Sequence, residues 1–306
     1  MRTLVTGITG YVGSALAPAL GDAGHEVRGF TRDASRVRAP VDDVVEGDAL
    51  TGRGLDEALD GVEIAYYLIH SMERASDGGF DTAELQSAEH FAEAAVRAGV
   101  RRIVYLGGPV PTDDQPISRH LASRLAVEET LLAAVAESVA FRASIVIAAE
   151  SRSFTFLVRL IERLPVLALP AWARHRSYPV DGRDVTEYLT RAATAPASVT
   201  GRAWDAIGPE CMSHGEMMQR IADLMLVARP KIDLGFSLTA IAAPVAAALA
   251  GEDLRLIEPL MESLEHDLLP RDELAAEAFG VRLHSFDAAV ERSLRGLEAR
   301  MEVRAR

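Results

Sequence analysis

Arg2-Thr3-Leu4-Val5-Thr6-Gly7-Ile8-Thr9-Gly10-Tyr11-Val12-Gly13 opens the chain and decides how the rest is read. Leu4 and Val5 form a short apolar run suited to a buried strand, and Gly7, Gly10 and Gly13 follow at intervals of three. Ala15, Leu16, Ala19 and Leu20 then recur with helical period. A strand that turns into a helix through three glycines can receive a pyrophosphate. Gly7 permits the tight turn, Gly10 admits phosphates close to the backbone, and Gly13 lets helix and strand pack closely. Thr9, Tyr11 and Val12 fill the turn and the helix start, where unpaired N–H groups are offered to an anion.

Working outward, residues 25–30 read as a second strand ending at Thr31-Arg32, and 44–48 as a third ending at Asp48. Residues 64–69 are a near-continuous apolar run, the mark of a buried parallel strand, closed by His70-Ser71-Met72. The stretch from there to Asp81, with Gly78-Gly79, is expected to be a mobile loop. A helix is expected over 82–98, with Leu85, Ala88, Phe91, Ala92, Ala95 and Val96 on one face and Gly99 as its left-handed cap. A fifth strand and its exit loop follow over 102–108, then a helix over 121–135 and a sixth strand over 139–148. Strand and helix alternate throughout, which predicts an α/β fold with a doubly wound parallel sheet. Residues 1–150 are expected to form this dinucleotide-binding domain, with a return to the sheet near 177–207. Residues 151–176 and 208–306 would make a smaller, mainly helical substrate lobe. Its helices are expected over 154–164, 213–226, 237–250, 253–266 and 285–298, the second capped by Ser213 with Glu216. Ligands of such a sheet bind outside the carboxyl ends of the strands. That edge gathers Gly7 to Gly13, Arg32, Asp48, His70 and Gly107-Gly108.

Composition narrows the function. The 306 residues carry a net charge of −13, which argues against a general nucleic-acid binder. Lys231 is the only lysine, a skew compatible with either a GC-rich genome or a saline habitat. Cys211 is the only cysteine, so no intrachain disulfide forms, and a reducing, cytoplasmic setting is expected. The N-terminal residues lack a signal-peptide layout. The longest apolar stretch, 236–251, is too short to span a bilayer and contains Pro244, so no membrane span is expected. It reads as a core helix, or else as a helix that binds a partner or a membrane surface. The expected partner is a small-molecule substrate, and a homo-oligomer is left open.

The tip of the second strand chooses between cofactors. An acidic residue there would bind the 2′-hydroxyl of NAD, whereas Arg32, helped by Arg36, suits the 2′-phosphate of NADP. Asp33 follows Arg32 immediately, yet the arginine holds the tip itself. NADP is therefore expected ahead of NAD.

Together, 6–13, Gly47-Asp48, 68–72 and 102–108 resemble the short-chain dehydrogenase/reductase superfamily, and more narrowly its atypical, NmrA-like branch. The resemblance is strong to about residue 150 and weaker through Arg183-Asp184-Val185 and 201–205. It implies that Asp48, beside Ala49, bonds the adenine amino group. It also implies that Leu68, Ile69 and His70 line ribose and nicotinamide, with Gly107 at the exit of the fifth strand. One departure matters. That superfamily uses a Tyr-x-x-x-Lys pair on the helix after the fifth strand, helped by a Ser near the strand's exit. Aligning that helix by Ser123 and Glu128 puts His120 at the Tyr position and Arg124 at the Lys position, and the exit loop has Gly107-Gly108.

Two readings follow. His120 is a general acid working near neutral pH and Arg124 a fixed charge holding cofactor ribose or phosphate. Alternatively, 120–124 is the solvated start of a helix in a protein that binds NADP without turnover. His70 reads either as a substrate or cofactor contact or as a packed strand end. Trp172, His175 and Arg176 read as substrate contacts, the two basic residues also as a plain surface cluster. Phe154, Phe156, Trp172 and Phe236 can wall a pocket for a flat ligand or belong to the core. No metal cluster and no Gly-x-Ser-x-Gly elbow is present, against metal and hydrolase chemistry. The function expected is NADPH-dependent hydride transfer to a carbonyl, enone or quinone carbon of a small aromatic substrate. A non-catalytic dinucleotide sensor or assembly factor is the alternative, and a sugar-nucleotide epimerase ranks last.

Overall fold

A computed structural model describes residues 1–70, 80–111, 117–235, 261 and 264–305. Strand β1 (Arg2–Thr6) turns through Gly7 into α1 (Tyr11–Asp22), followed by β2 (Glu26–Thr31), β3 (Asp43–Glu46) and the short α2 (Leu55–Leu59). Next come β4 (Ile64–Tyr67), α3 (Phe80–Arg97), β5 (Arg102–Gly107), α4 (Arg119–Ala134) and β6 (Val139–Arg142). The remainder comprises β7 (Val146–Ile147), α5 (Arg152–Arg163), β8 (Leu167–Leu169), β9 (Arg176–Ser177), β10 (Val180–Asp181) and α6 (Gly182–Ala192). It ends with β11 (Arg202–Asp205), β12 (Met212–Ser213), α7 (His214–Leu224), β13 (Lys231–Asp233), α8 (Ala275–Ala278) and α9 (Phe286–Ala305).

Seven strands pair in parallel in the order β11-β6-β5-β4-β1-β2-β3. Apolar residues run consecutively along the central strands, and the two-residue period of a strand divides them between the faces. Val5, Tyr66, Val104 and Phe141 join Leu16 of α1 and Tyr188 of α6 in one core. Leu4, Tyr67, Ile103 and Tyr105 join Phe91 of α3 and Leu131 of α4 in the other. The order reverses where β1 meets β4, which opens a crevice at the carboxyl ends of those two strands. Thr6 staples that point: its hydroxyl donates to the Tyr66 carbonyl at 3.0 Å and accepts the Leu68 N–H at 2.9 Å.

Two expectations about the elements need correction. The strand expected over 139–148 ends at Arg142; after Ala143-Ser144, β7 leaves the main sheet and pairs with β10 instead. Val96, expected on the buried face of α3, is 56% exposed. The expected cap at Gly99 is present, with φ +70, and so is the Ser213–Glu216 capping box of α7. A third core, built from Phe154, Ile161, Trp172, Met217, Ile221 and Phe286, lies among α5, α7 and α9. Ser71-Met72, the loop with Gly78-Gly79, Phe236, the helix expected over 237–250 and most of that over 253–266 lie outside the described residues.

Candidate functional site

The phosphate edge is made of backbone. Gly7 has φ +63, and a Cβ there would stand 2.4 Å from the Leu68 carbonyl oxygen. A Cβ on Gly13 would stand 2.5 Å from the Gly7 oxygen, so α1 can approach the turn only without one. Gly10 caps α1 without any side-chain hydrogen bond. Among the described residues no side chain therefore caps the first-turn N–H groups, Tyr11 and Val12 among them. Thr9 and Gly10 are exposed beside this helix end. The Tyr11 ring turns away from it and packs over Gly182 at the start of α6. Burial pushes its phenol up to about 12, against an opposing effect of Arg292.

At the tip of β2, Arg32 and Arg36 are exposed. The two carboxylates nearby face loop amides. Asp33 accepts from Ser35 N–H at 3.0 Å and from its hydroxyl at 2.6 Å, while Glu46 accepts from Ala34 N–H at 2.7 Å. Asp48 folds one oxygen onto Leu50 N–H at 3.1 Å, and Ala49 is buried beside it.

Beyond the crevice the site changes character. Leu68 is buried and Ile69 half-buried at the exit of β4, and His70 follows. Arg124 of α4, 7% exposed, donates from Nη1 to His70 Nδ1. Its Nη2 lies 3.6 Å from Glu84 Oε1 of α3, and Ser123 donates to the other oxygen of Glu84 at 2.7 Å. Tyr105 donates to the Arg124 carbonyl at 3.4 Å. Among the described residues the buried Tyr67 hydroxyl has no hydrogen-bond partner, and Gly108 packs against Leu121 and Arg124.

Protonation follows from this crowding. Surrounding protein mass and the Arg124 charge hold His70 well below the usual imidazole range. His120 is pushed down to about 3, by burial first and Arg124 second. Burial raises Tyr105 to about 12 and Tyr67 well above its ordinary value. These groups are all neutral at neutral pH.

Both readings of 120–124 are thereby revised. The segment is not solvated, since His120 and Arg124 are buried. Nor does His120 fit a general acid working near neutral pH, because it carries no imidazolium proton there. Arg124 is bound internally to Glu84 and His70 instead of standing clear for a ribose. For the expected substrate residues the structure takes the second of the two readings: Trp172 and Phe154 are core. Arg176 grips Asp267 through its N–H at 2.6 Å, Nε at 3.2 Å and Nη2 at 2.7 Å, with His175 Nδ1 at 3.7 Å from the same carboxylate. That cluster is a clasp between two segments, already balanced in charge. Sequence reasoning missed Glu84 and Ser123; the available signal was a carboxylate on the apolar stripe of α3, one turn before Ala88.

Among the described residues no helix is long and apolar enough to cross a membrane. Residues 1–216 match the NmrA-like family. A sterol demethylase protein B of Methylococcus capsulatus is 39% identical over 113 residues, covering 34% of either chain. A 3-diazoavenalumate denitrifying reductase of a Streptomyces species is 35% identical over 135 residues, covering 38% of this chain and 44% of that one. The chain thus spans less than half the length of these curated relatives. A short-chain dehydrogenase/reductase superfamily protein from Agrobacterium tumefaciens, solved with bound NAD, superposes over 100% of both chains with a TM-score of 0.72 at 19% identity. That likeness carries the fold, a Rossmann-like doubly wound sheet. The match over residues 1–216 carries more: the chain belongs to the NmrA-like family.

Proposed function

We propose that this protein is an NADPH-dependent reductase acting on a quinone, enone or carbonyl carbon of a small substrate. The observation that carries the reading is the Gly7–Gly10–Gly13 turn at the reversal of strand order, where two added methyl groups would collide with backbone oxygens. A cradle that excludes even a Cβ beside an uncapped helix start fits a pyrophosphate. Arg32 and Arg36 suit a 2′-phosphate, since Asp33 and Glu46 are folded onto loop amides. Asp48 and Ala49 would face the adenine, and Leu68, Ile69, His70 and Gly107 the ribose and nicotinamide. The reductase named among the relatives agrees with this class of chemistry. Bound at this edge, the nicotinamide would supply a hydride.

The protein's own part is electrostatic. Because Arg124 donates to His70 Nδ1, the ring carries its proton on Nε2, which can hydrogen-bond to a substrate oxygen and stabilise charge gathering there. His70 and His120 hold no imidazolium proton at neutral pH and the Tyr67 and Tyr105 phenols are buried, so this reading takes the proton from solvent water. That favours quinones, whose reduced oxygen is a stable phenolate. Titration with NADPH and NADH, followed by tryptophan fluorescence, tests the cofactor; consumption of NADPH with a quinone series then tests the reaction. Tight binding with no turnover on any quinone, enone or ketone would return the protein to the non-catalytic sensor reading.

A further inference from the structure

We infer that Glu84, a buried carboxylate on α3, is the positioning residue of the site: by anchoring Arg124 it fixes which nitrogen of His70 carries the proton. The inference rests on the reductase reading only in naming what His70 serves; the tautomer itself is a property of the protein alone.

Glu84 is 1% exposed, and an ionised carboxylate so placed is costly unless paired and hydrogen-bonded. Adjacent residues of α4 supply that compensation, the Ser123 hydroxyl at one oxygen and the Arg124 guanidinium at the other. The hydroxyl orients the carboxylate, and the carboxylate holds the guanidinium in an ion pair at 3.6 Å. Arginine has N–H donors only and does not lose its charge. Its contact with His70 Nδ1 therefore requires a lone pair on that nitrogen, which leaves the imidazole neutral with Nε2–H. Without that contact the neutral ring could adopt either tautomer. Three helix or strand ends thus converge on one choice: α3 brings the anion, α4 the cation, and the exit of β4 the ring. Glu84 acts on His70 through Arg124.

The test is 15N-resolved NMR of the histidine side chains in protein without cofactor, with the His70 signals identified by their loss in His70→Gln. Wild type is expected to show His70 as the neutral Nε2–H tautomer throughout pH 6–8, roughly one unit about neutrality. In Glu84→Gln, which keeps shape and a bond to Ser123 but loses the charge, His70 should become a mixture of its two neutral tautomers. An Nδ1–H ring in wild type, or titration there in the ordinary range, overturns the inference without any variant. Unchanged His70 signals in a folded Glu84→Gln overturn it also. In turnover, Glu84→Gln should lower kcat about tenfold, the scale of one weakened hydrogen bond to developing charge, with NADPH affinity unmoved. Failure of NADPH to bind would remove the reductase reading and leave the tautomer result standing.

Discussion

The two halves of the site are built on opposite principles. Along the Gly7–Gly13 turn, the proposed recognition would come from atoms that are missing, since the backbone approaches because no side chain intervenes. Around Glu84, Ser123, Arg124 and His70 it comes from atoms that are present, buried and mutually dependent. The first half is damaged by adding a carbon; the second is damaged by removing a charge. The difference also predicts how damage spreads. A blocked cradle should lose ligand and leave the fold standing, whereas a broken ion cluster should weaken the packing of α3 on α4 before any ligand arrives.

The largest effect should come from stripping one member of the cluster. Arg124→Met leaves Glu84 buried without its counter-charge and should cost about 3–5 kcal/mol in denaturant unfolding. Adding Glu84→Leu should recover much of that loss; a double variant no more stable than the single would break the contrast.

Gly13→Val tests the other half. It should weaken NADPH at least ~100-fold, about 2.7 kcal/mol, by forcing α1 away from the turn. Calorimetric titration beside a thermal melt separates the lost ligand from a lost fold.

Acid sharpens the comparison through groups outside the cradle. His120 and His214 are lowered to about 3 and about 4 by burial, helped by Arg124 and His175 respectively. Each therefore binds fewer protons folded than unfolded, between its folded value and the ordinary imidazole value of 6.5. Stability should rise with pH across that interval and fall on acidification, by at most about 1.4 kcal/mol per pH unit for each ring. His120→Leu should flatten part of this slope and leave turnover within about twofold, since a neutral, buried ring supplies no proton. A large loss of turnover would restore His120 to the chemistry.

Arg32→Ala should weaken NADPH about tenfold while NADH changes little, one exposed phosphate contact being worth roughly 1–1.5 kcal/mol. Equal weakening of both would sink the assignment of the 2′-phosphate. The smallest effect concerns a backbone twin of Gly7. Leu226 has φ 57 and is 92% exposed. Its strain is borne where there is room for the side chain, so Leu226→Gly should stabilise the fold by no more than about 1 kcal/mol. Loss of stability there would mean that the exposed leucine has packing unrelated to its backbone.

The same division explains what could be read in advance. A cradle defined by glycines at fixed spacing is local, so β1, the turn and α1 were legible from the first twenty residues, and the apolar strands that follow were legible each from its own run. The ion cluster joins residues 70, 84, 123 and 124 through three elements. Its signal was diluted: Glu84 looks like one acidic residue of many, and His120 attracted attention through its aligned position although its surroundings silence it. In the second half, the breadth of the third core turned Trp172 and Phe154 from pocket to interior. Asp267, ninety-one residues away from Arg176, neutralised what looked like a basic patch. Short strands such as β7, whose partner β10 is supplied from beyond α5, carry too little periodic signal to be separated from β6.

Arg102 has a consequence for where this chain can be cut. It lies fully buried in β5 and donates to the carbonyls of Ala192, Ala193 and Ala195 at 2.5, 3.2 and 2.8 Å, while β11 covers the flank of β6. A recombinant fragment ending at residue 150 would strip that guanidinium of its three carbonyl acceptors, leaving it only the Glu137 carboxylate, and bare the apolar edge Val139-Ala140-Phe141. Such a fragment is expected to precipitate on expression, and a separately supplied 151–306 piece to rescue it only when the two are made together. The nucleotide half, for all its local legibility, is not a portable module.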